Sequence, residues 1–166
     1  MTDFDERVRG DLALIGEGRS MEDLAWVLHT APAKLRSFVS EPQSAPAGFL
    51  DTLAEICLLR HNAIAFADGP NSFVVTDESK HYLESSKLYA AEAARRIAAA
   101  WTVMRESVPK TITKRELRRR INVWLAGNPC EWRNPARTIE EIAGFCGKPV
   151  DEVLQDLGFT FDPSTP

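Results

Sequence analysis

The sequence predicts an all-α fold: a small N-terminal helical domain, a long connecting helix and a second small helical lobe. At four places a Ser or Thr is followed three residues later by an acid, the capping-box pattern that marks a helix start. These capping residues are Thr2, Ser20, Thr113 and Thr138. Residues 77–108 contain no Gly or Pro and repeat apolar side chains at helical spacing, which predicts one amphipathic helix of about 45 Å.

Apolar spacing defines four helices in the N-terminal domain, residues 1–62. The expected buried side chains are Val8, Leu12, Leu14 and Ile15 in the first helix, Leu24, Val27 and Leu28 in the second, Leu35, Phe38 and Val39 in the third, and Leu50, Leu53, Ala54 and Cys57 in the fourth. Pro32 suits the first turn of the third helix, and the fourth is predicted over residues 49–60. Residues 63–76 include an Asp-Gly-Pro turn and form the predicted connector, a loop or at most a short strand pair.

The C-terminal lobe, residues 109–166, follows the long helix of residues 77–108. Its first segment, TITKRELRRRINVWLAG, predicts a basic amphipathic helix that Gly127 closes. A loop over residues 128–137 then leads to TIEEIAGFC and PVDEVLQDLGF, which predict a pair of short helices. The lobe therefore combines one basic helix with a second helix pair.

Charge is distributed unevenly along this chain. The net charge of −4 and the isoelectric point near 5.4 give no overall attraction to nucleic acid. Between residues 110 and 137, however, eight Lys and Arg stand against two Glu, whereas from residue 138 onward one Lys stands against six acids. A basic block is therefore followed directly by an acidic one.

Several classes of protein are not expected from this sequence. Apolar stretches are interrupted well before the roughly 18 residues that a membrane span needs, and the N-terminus does not resemble a secretory signal, so we expect a cytoplasmic protein without a membrane partner. Cys57, Cys130 and Cys146 are odd in number, which favours reduced thiols. The His and Cys spacings match no metal motif, and no nucleophile elbow or phosphate loop is present, so we expect no metal, no cofactor and no enzymatic activity.

Residues 5–60 resemble the Cro and lambda-repressor type of helix-turn-helix DNA-binding domain. The residues that carry the resemblance are Leu24, Ala25, Leu28, Pro32, Leu35, Phe38, Phe49, Leu50, Leu53, Ala54 and Ile56, which stand where that family has buried side chains. Ala25 matters most, because a small side chain allows two helices to cross closely. At the turn, His29 replaces the Gly of the family pattern.

The resemblance implies that the helix APAKLRSFVS lies in the DNA major groove. The implied DNA-contacting residues are Thr30, Ala33, Lys34, Arg36, Ser37 and Ser40. Lys34 and Arg36 are suited to phosphates or to a guanine edge, and the hydroxyls add weaker contacts. The positions that face the bases, Pro32, Ala33 and Ser37, are poor readers of base edges, so an alternative use of this helix as a protein-binding surface stays open.

The basic helix and the second helix pair extend this interpretation. Lys114, Arg115, Arg118 and Arg119 form a cationic strip that suits the DNA backbone, whereas the alternative is that they pair with the acids of residues 140–156. Aligning residues 19–39 with 137–157 matches Ala25 with Ala143, which indicates a degenerate second helix-turn-helix. Its second helix is acidic, so a structural or protein-binding role is expected for it. The four tryptophans are interpreted as core or hinge packing, and Trp132, in the loop of residues 128–137, is in addition placed to contact a partner.

The function expected from these features is a sequence-specific, repressor-like DNA-binding regulator from a bacterium or phage. Its expected partners are double-stranded DNA and a second copy of the chain, because a single helix in one groove gives little specificity. The alternative is a helical adaptor or inhibitor protein that uses the helix-turn-helix shape and the basic surface at residues 110–137 to bind a protein partner.

Overall fold

The computed structural model describes residues 2–127, 138–162 and 164, and over these residues the protein is all-helical. Its helices are α1 (Asp3–Ile15), α2 (Met21–Val27), α3 (Pro32–Ser40), α4 (Ala47–Ala65), α5 (Asp77–Ser107), α6 (Lys114–Gly127), α7 (Ile139–Cys146) and α8 (Val150–Asp156). A single 3₁₀ turn lies at Pro42–Ser44, and an isolated bridge joins Thr113 to Asp162. The predicted all-α class is therefore confirmed over these residues.

The four predicted helix starts are also confirmed, because each capping hydroxyl bonds the backbone three residues ahead. The donors are the N–H groups of Asp5, Asp23, Glu116 and Glu141, at 3.1–3.2 Å. At Thr2 the box is complete, since the backbone N–H of Thr2 donates to the Asp5 carboxylate at 3.1 Å. These bonds satisfy backbone donors that have no partner within the first helical turn.

The chain forms two compact units, unit 1 (residues 1–95) and unit 2 (residues 96–166), and the division falls inside α5. The first half of α5 contributes Tyr82, Tyr89 and Ala93 to the core of unit 1. Its second half contributes Met104 to the core of unit 2. The sequence-based division into 1–62, 63–76, 77–108 and 109–166 stays a prediction, with the added finding that the long helix supplies side chains to two cores.

The core of unit 1 contains the side chains that carried the family resemblance. Leu24, Ala25, Leu28, Leu35, Phe38, Phe49, Leu50, Leu53 and Ala54 are all buried. Pro32 and Ile56 are half-buried, and Leu14, which was expected in the core, is 45% exposed. Because α2 and α3 are short, these buried contacts provide most of the stability that holds them as helices.

Helix α4 continues five residues beyond its predicted end at Arg60. Two side chains explain the extension, since Ala65 is buried and His61 is buried with its Nδ1 atom 2.8 Å from the carbonyl oxygen of Ser79. The start of α5 has a cap of its own, in which Thr76 and Ser79 exchange side-chain-to-backbone hydrogen bonds of 2.9 and 3.1 Å. Residues 63–65, the first three of the predicted connector, belong to α4.

We expect Ala25→Leu to destabilise unit 1 by about 1–3 kcal/mol, because Ala25 is fully buried and a larger side chain would overpack the contact between α2 and its neighbours. Urea unfolding followed by circular dichroism measures the change. Ala33→Leu is the matched control, since Ala33 is exposed on α3. An Ala25→Leu protein that unfolds like the wild type would show that Ala25 does not lie at a close helix crossing.

The core of unit 2 is formed by the end of α5 together with α6, α7 and α8. Its fully buried side chains include Leu117, Ile121, Ile139 and Leu154. Trp101 and Trp124 pack against this core with ring centroids 4.6 Å apart, as expected from the sequence. Trp132 lies outside the described residues.

Candidate nucleic-acid interface

Helix α3 presents one face to the core of unit 1 and the opposite face to solvent. Leu35 and Phe38 are buried and hold the helix in place. The predicted DNA-contacting residues on the other face, Ala33, Lys34, Arg36, Ser37 and Ser40, are all exposed, and Thr30, just before the helix, is half-buried. The helix contains no Asp or Glu, so its outer face carries only positive charge.

The turn between α2 and α3 has a defined backbone geometry. His29 has a φ of 53°, the left-handed conformation that favours Gly. The N–H of His29 donates to the carbonyl of Trp26 at 3.1 Å, and that of Thr30 donates to the carbonyl of Ala25 at 3.0 Å. This pair of bonds is the Schellman motif, which ends α2 and sets the direction in which α3 begins. His29 therefore adopts a backbone conformation for which Gly is the usual residue.

Arg9 fixes the other end of α3. Its guanidinium donates to the carbonyl oxygens of Val39 at 2.7 Å and Ser40 at 2.6 Å. These carbonyls belong to the last turn of the helix, where a cation also interacts favourably with the helix dipole. No local sequence signal identified Arg9, because the contact joins residues 30 and 31 positions apart.

The two cations on α3 differ in their surroundings. Arg36 lies 3.6 Å from Glu22 of α2, with both side chains more than half exposed. An exposed pair of this kind contributes at most about 1 kcal/mol, so Arg36 can exchange Glu22 for another anion at low cost. Lys34 is exposed, and no ion-pair partner is found for it among the described residues.

Trp26 does not pack in the core, so the interpretation of this tryptophan as core or hinge packing is wrong. Its side chain is 81% exposed, because Leu24, Ala25 and Leu28 occupy the inward face of α2. An exposed indole on a short helix places a large apolar surface and one N–H donor in solvent. Trp26 is therefore a further candidate contact residue.

The basic helix α6 uses much of its charge inside unit 2. Lys114 lies 3.1 Å from Asp151, and Arg118 donates two hydrogen bonds of 2.9 and 2.5 Å to Glu140. For these two residues the structure shows the second alternative, pairing with acids of residues 140–156. Arg119 pairs with Glu116 on the same helix at 2.6 Å.

Arg115 is the exception, because it is exposed and has no ion-pair partner within the described part of the chain. Residues 128–137, which complete the predicted protein-binding surface at 110–137, lie outside the described residues.

The carboxylates that pair with α6 have lowered pKa values. Hydrogen bonding from Arg119 lowers the pKa of Glu116 to about 2. For Glu140, burial works to raise the pKa, but hydrogen bonds from Arg118 and Asn122 lower it on balance. Because the folded-state values lie below the unfolded ones, both pairs stabilise the fold above the unfolded Glu pKa of about 4.3. For Glu116 that contribution disappears as the pH falls toward 2.

The second helix pair, α7 and α8, repeats the local backbone of α2 and α3. Gly147 has a φ of 64°, and the N–H of Lys148 donates to the carbonyl of Ala143 at 3.1 Å, as Thr30 does to Ala25. Ala143 is buried, like Ala25. The outer side of α8 differs in charge, since it carries Asp151, Glu152 and Asp156 where α3 carries Lys34 and Arg36. The two pairs share a turn geometry but not a surface.

A buried polar cluster lies in unit 1, away from the face of α3. Asp11 is fully buried; its carboxylate is 2.6 Å from Nε2 of His81 and accepts a hydrogen bond of 2.5 Å from the Tyr89 hydroxyl. Burial, together with the bond to Asp11, raises the pKa of Tyr89 well above its usual range. Burial also raises the pKa of the Cys57 thiol to about 12, so this cysteine stays protonated and is a poor nucleophile. The cluster joins α5 to α1.

Over residues 2–127, 138–162 and 164, no group of three or more His, Cys, Asp or Glu side chains is placed to hold a metal ion. Among the helices of these same ranges, none combines the length and apolarity that crossing a membrane requires. No protein family model, curated protein or solved structure matches the chain.

Proposed function

We propose that the protein is a sequence-specific, repressor-like DNA-binding regulator and that α3 is the helix that enters the major groove. The observation that carries the proposal is the outer face of α3, where Lys34 and Arg36 are exposed on a helix without a single acid. The proposal is supported by the way both ends of α3 are held. The turn at His29 and the Arg9 guanidinium keep the helix in one orientation. A rigid helix loses little conformational freedom when it binds a groove.

The exposed residues divide into positioning and reading contacts. Lys34 and Arg36 neutralise phosphates, and either can reach the O6 and N7 acceptors of a guanine. Ser37 and Ser40 add hydroxyl donors, and the methyl group of Ala33 suits contact with a thymine methyl. Because α3 carries few side chains that discriminate strongly between bases, useful specificity requires two copies of α3 on two half-sites.

Selection from a library of random duplexes tests this function. The proposal predicts enrichment of a two-fold symmetric sequence with half-site centres about 10–10.5 base pairs apart, or a multiple of that spacing. Recovery of duplexes without a shared sequence would contradict sequence-specific binding.

The ion pairs of α6 predict a small role for Arg118 in DNA binding. We expect Arg118→Ala to change DNA affinity by less than about twofold, and to lower the stability of unit 2 by about 0.2–1 kcal/mol through loss of the Glu140 pair. Fluorescence anisotropy and urea unfolding measure the two effects. Arg115→Ala is the comparison, because Arg115 is exposed on the same helix. A tenfold loss of affinity on Arg118→Ala would place α6 in the DNA contact.

A second candidate function, a helical adaptor that binds another protein, is favoured by Trp26. Exposed tryptophans are enriched among the residues that dominate protein interfaces, and Trp26 is 81% exposed on the helix preceding α3. This function predicts that a purified partner protein binds the chain, and that its affinity for the chain falls at least tenfold on Trp26→Ala but is unchanged by Trp26→Phe. Two results together would leave the adaptor function unsupported. One is that no such partner is found, and the other is that Trp26→Ala does not change DNA binding.

A further inference from the structure

An open cleft in unit 1 lies between α1, the start of α2 and the end of α3. Its volume is about 230 Å³, and most of its surface is apolar. The apolar side chains that line it are Leu12 and Ala13 of α1, Met21 and Leu24 of α2, and Val39 of α3. Leu12 and Leu24 are buried in the core, whereas Met21 and Val39 are half-buried and Ala13 is exposed. The cleft is therefore an apolar surface, open to solvent, that three helices hold in place.

Two guanidinium groups line the same cleft. Arg9 lies on α1, and Arg19 lies just before α2. Among the described residues that line the cleft, none is an Asp or a Glu. Asp5, on α1, interacts electrostatically with Arg9, but its carboxylate accepts a hydrogen bond of 3.1 Å from the backbone N–H of Thr2. The cleft therefore combines an apolar surface with an excess of positive charge.

The two arginines differ in how firmly they are held. Arg9 donates to the carbonyl oxygens of Val39 and Ser40 at 2.7 and 2.6 Å, so its guanidinium is oriented before any ligand binds. A guanidinium carries five N–H donors, and these bonds use two of them. The side chain of Arg19 is exposed, and no ion-pair partner is found for it within residues 2–127, 138–162 and 164. One cation is thus fixed in place, and the other is available to an anion.

We propose that this cleft binds a small organic carboxylate, with the carboxylate group at Arg9 and Arg19 and the apolar body on Ala13, Met21 and Val39. Planar guanidinium groups match the two oxygens of a carboxylate, and a guanidinium that is already oriented binds at a lower entropic cost. Ligand sites in proteins combine apolar walls with a few polar groups that fix the orientation of the ligand.

The size of the cleft narrows the class of ligand. An apolar cavity of about 150 Å³ holds a benzene ring, so a volume of about 230 Å³ suits one aromatic ring that carries a carboxylate. The proposal stands independently of DNA binding, because none of the predicted DNA-contacting residues of α3 lines the cleft. All tests are made without DNA, so that failure of this proposal can be told from failure of the proposed function.

Titration of the full chain with benzoate at neutral pH and constant ionic strength, followed in amide NMR spectra, tests the proposal. We expect saturable shifts at Ala13, Met21 and Val39 with a Kd of about 1 mM or lower, because a ligand of this size makes few contacts. Benzamide keeps the ring without the charge, and acetate keeps the charge without the ring. Each is expected to bind at least tenfold more weakly than benzoate. Binding of either one as tight as that of benzoate would overturn the proposal.

Two variants test the charged and the apolar part of the site separately. Arg19→Ala removes one cation, and Ala13→Leu places a larger side chain in the cleft. Both positions are exposed, so neither change is expected to unfold unit 1, and each is expected to weaken benzoate binding at least fivefold. The matched controls, Arg115→Ala and Ala63→Leu, change exposed residues that do not line the cleft and should bind benzoate like the wild type. Unchanged binding by Arg19→Ala or Ala13→Leu, or no saturable binding by the wild type up to about 10 mM, would overturn the proposal.

Discussion

Asp11→Ala is expected to destabilise unit 1 by about 3 kcal/mol. The substitution leaves the hydroxyl of Tyr89 buried without its acceptor, and it removes the carboxylate that contacts Nε2 of His81 at 2.6 Å. A hydrogen bond to a charged group contributes about 1.5–3 kcal/mol, and removal of one member of a buried pair costs more than an exposed change because the remaining group stays desolvated. The loss also removes the contacts through which Asp11 joins α1 to α5, the helix that supplies Tyr82 and Ala93 to the core.

Urea unfolding of three further variants shows which contacts of Asp11 account for this loss of unfolding free energy. Glu17→Ala, an exposed acid just after α1, is the control and is expected to change the free energy of unfolding by less than about 0.5 kcal/mol. Tyr89→Phe removes the hydroxyl without creating a cavity, so the double variant with Asp11→Ala measures the coupling of this pair. A loss of less than about 1 kcal/mol for Asp11→Ala would show that the cluster makes no net contribution to stability.

The double substitution Lys34→Ala with Arg36→Ala is expected to weaken DNA binding at least tenfold at moderate salt. Each cation that leaves a phosphate reduces the number of counterions released on binding, so the slope of log affinity against log salt concentration should become less steep by about 1.8. Thermal stability should change by no more than about 0.5 kcal/mol for each substitution, because both side chains are exposed.

The matched control for this variant is Lys80→Ala with Lys87→Ala. It removes the same number of positive charges from exposed positions on α5 and leaves α3 intact. Anisotropy titrations at two salt concentrations measure affinity and salt slope for both proteins. If the two double variants lose affinity to the same extent, the effect comes from net charge alone and α3 is not the contact.

Local features of the fold were predictable because their causes lie within a few residues. The caps at Thr2, Ser20, Thr113 and Thr138 depend on a partner three positions away, and the burial of Leu35 and Phe38 follows from the period of α3. The exposed face of α3 follows from the same period. Whether the residues of that face contact DNA depends on a partner molecule, which the sequence does not contain.

Contacts between distant residues were not predictable in the same way. Asp11 meets His81 and Tyr89 across 70 and 78 positions, and α6 could be interpreted either as a free cationic strip or as the partner of the later acids. Which of these holds depends on how α7 and α8 pack against α6. The exposure of Trp26 was missed for a related reason, because its short helix gives too few turns to define the inward face by period alone.

The most direct test of the proposed function is fluorescence anisotropy of the purified protein with the DNA that precedes its own gene and with a shuffled duplex of the same composition. Each titration is repeated at two salt concentrations, because the phosphate contribution alone varies strongly with salt. The proposal predicts tighter binding to the upstream DNA at both concentrations, with affinities for both duplexes falling as salt increases. Equal, weak binding to the two duplexes would contradict sequence-specific recognition by α3.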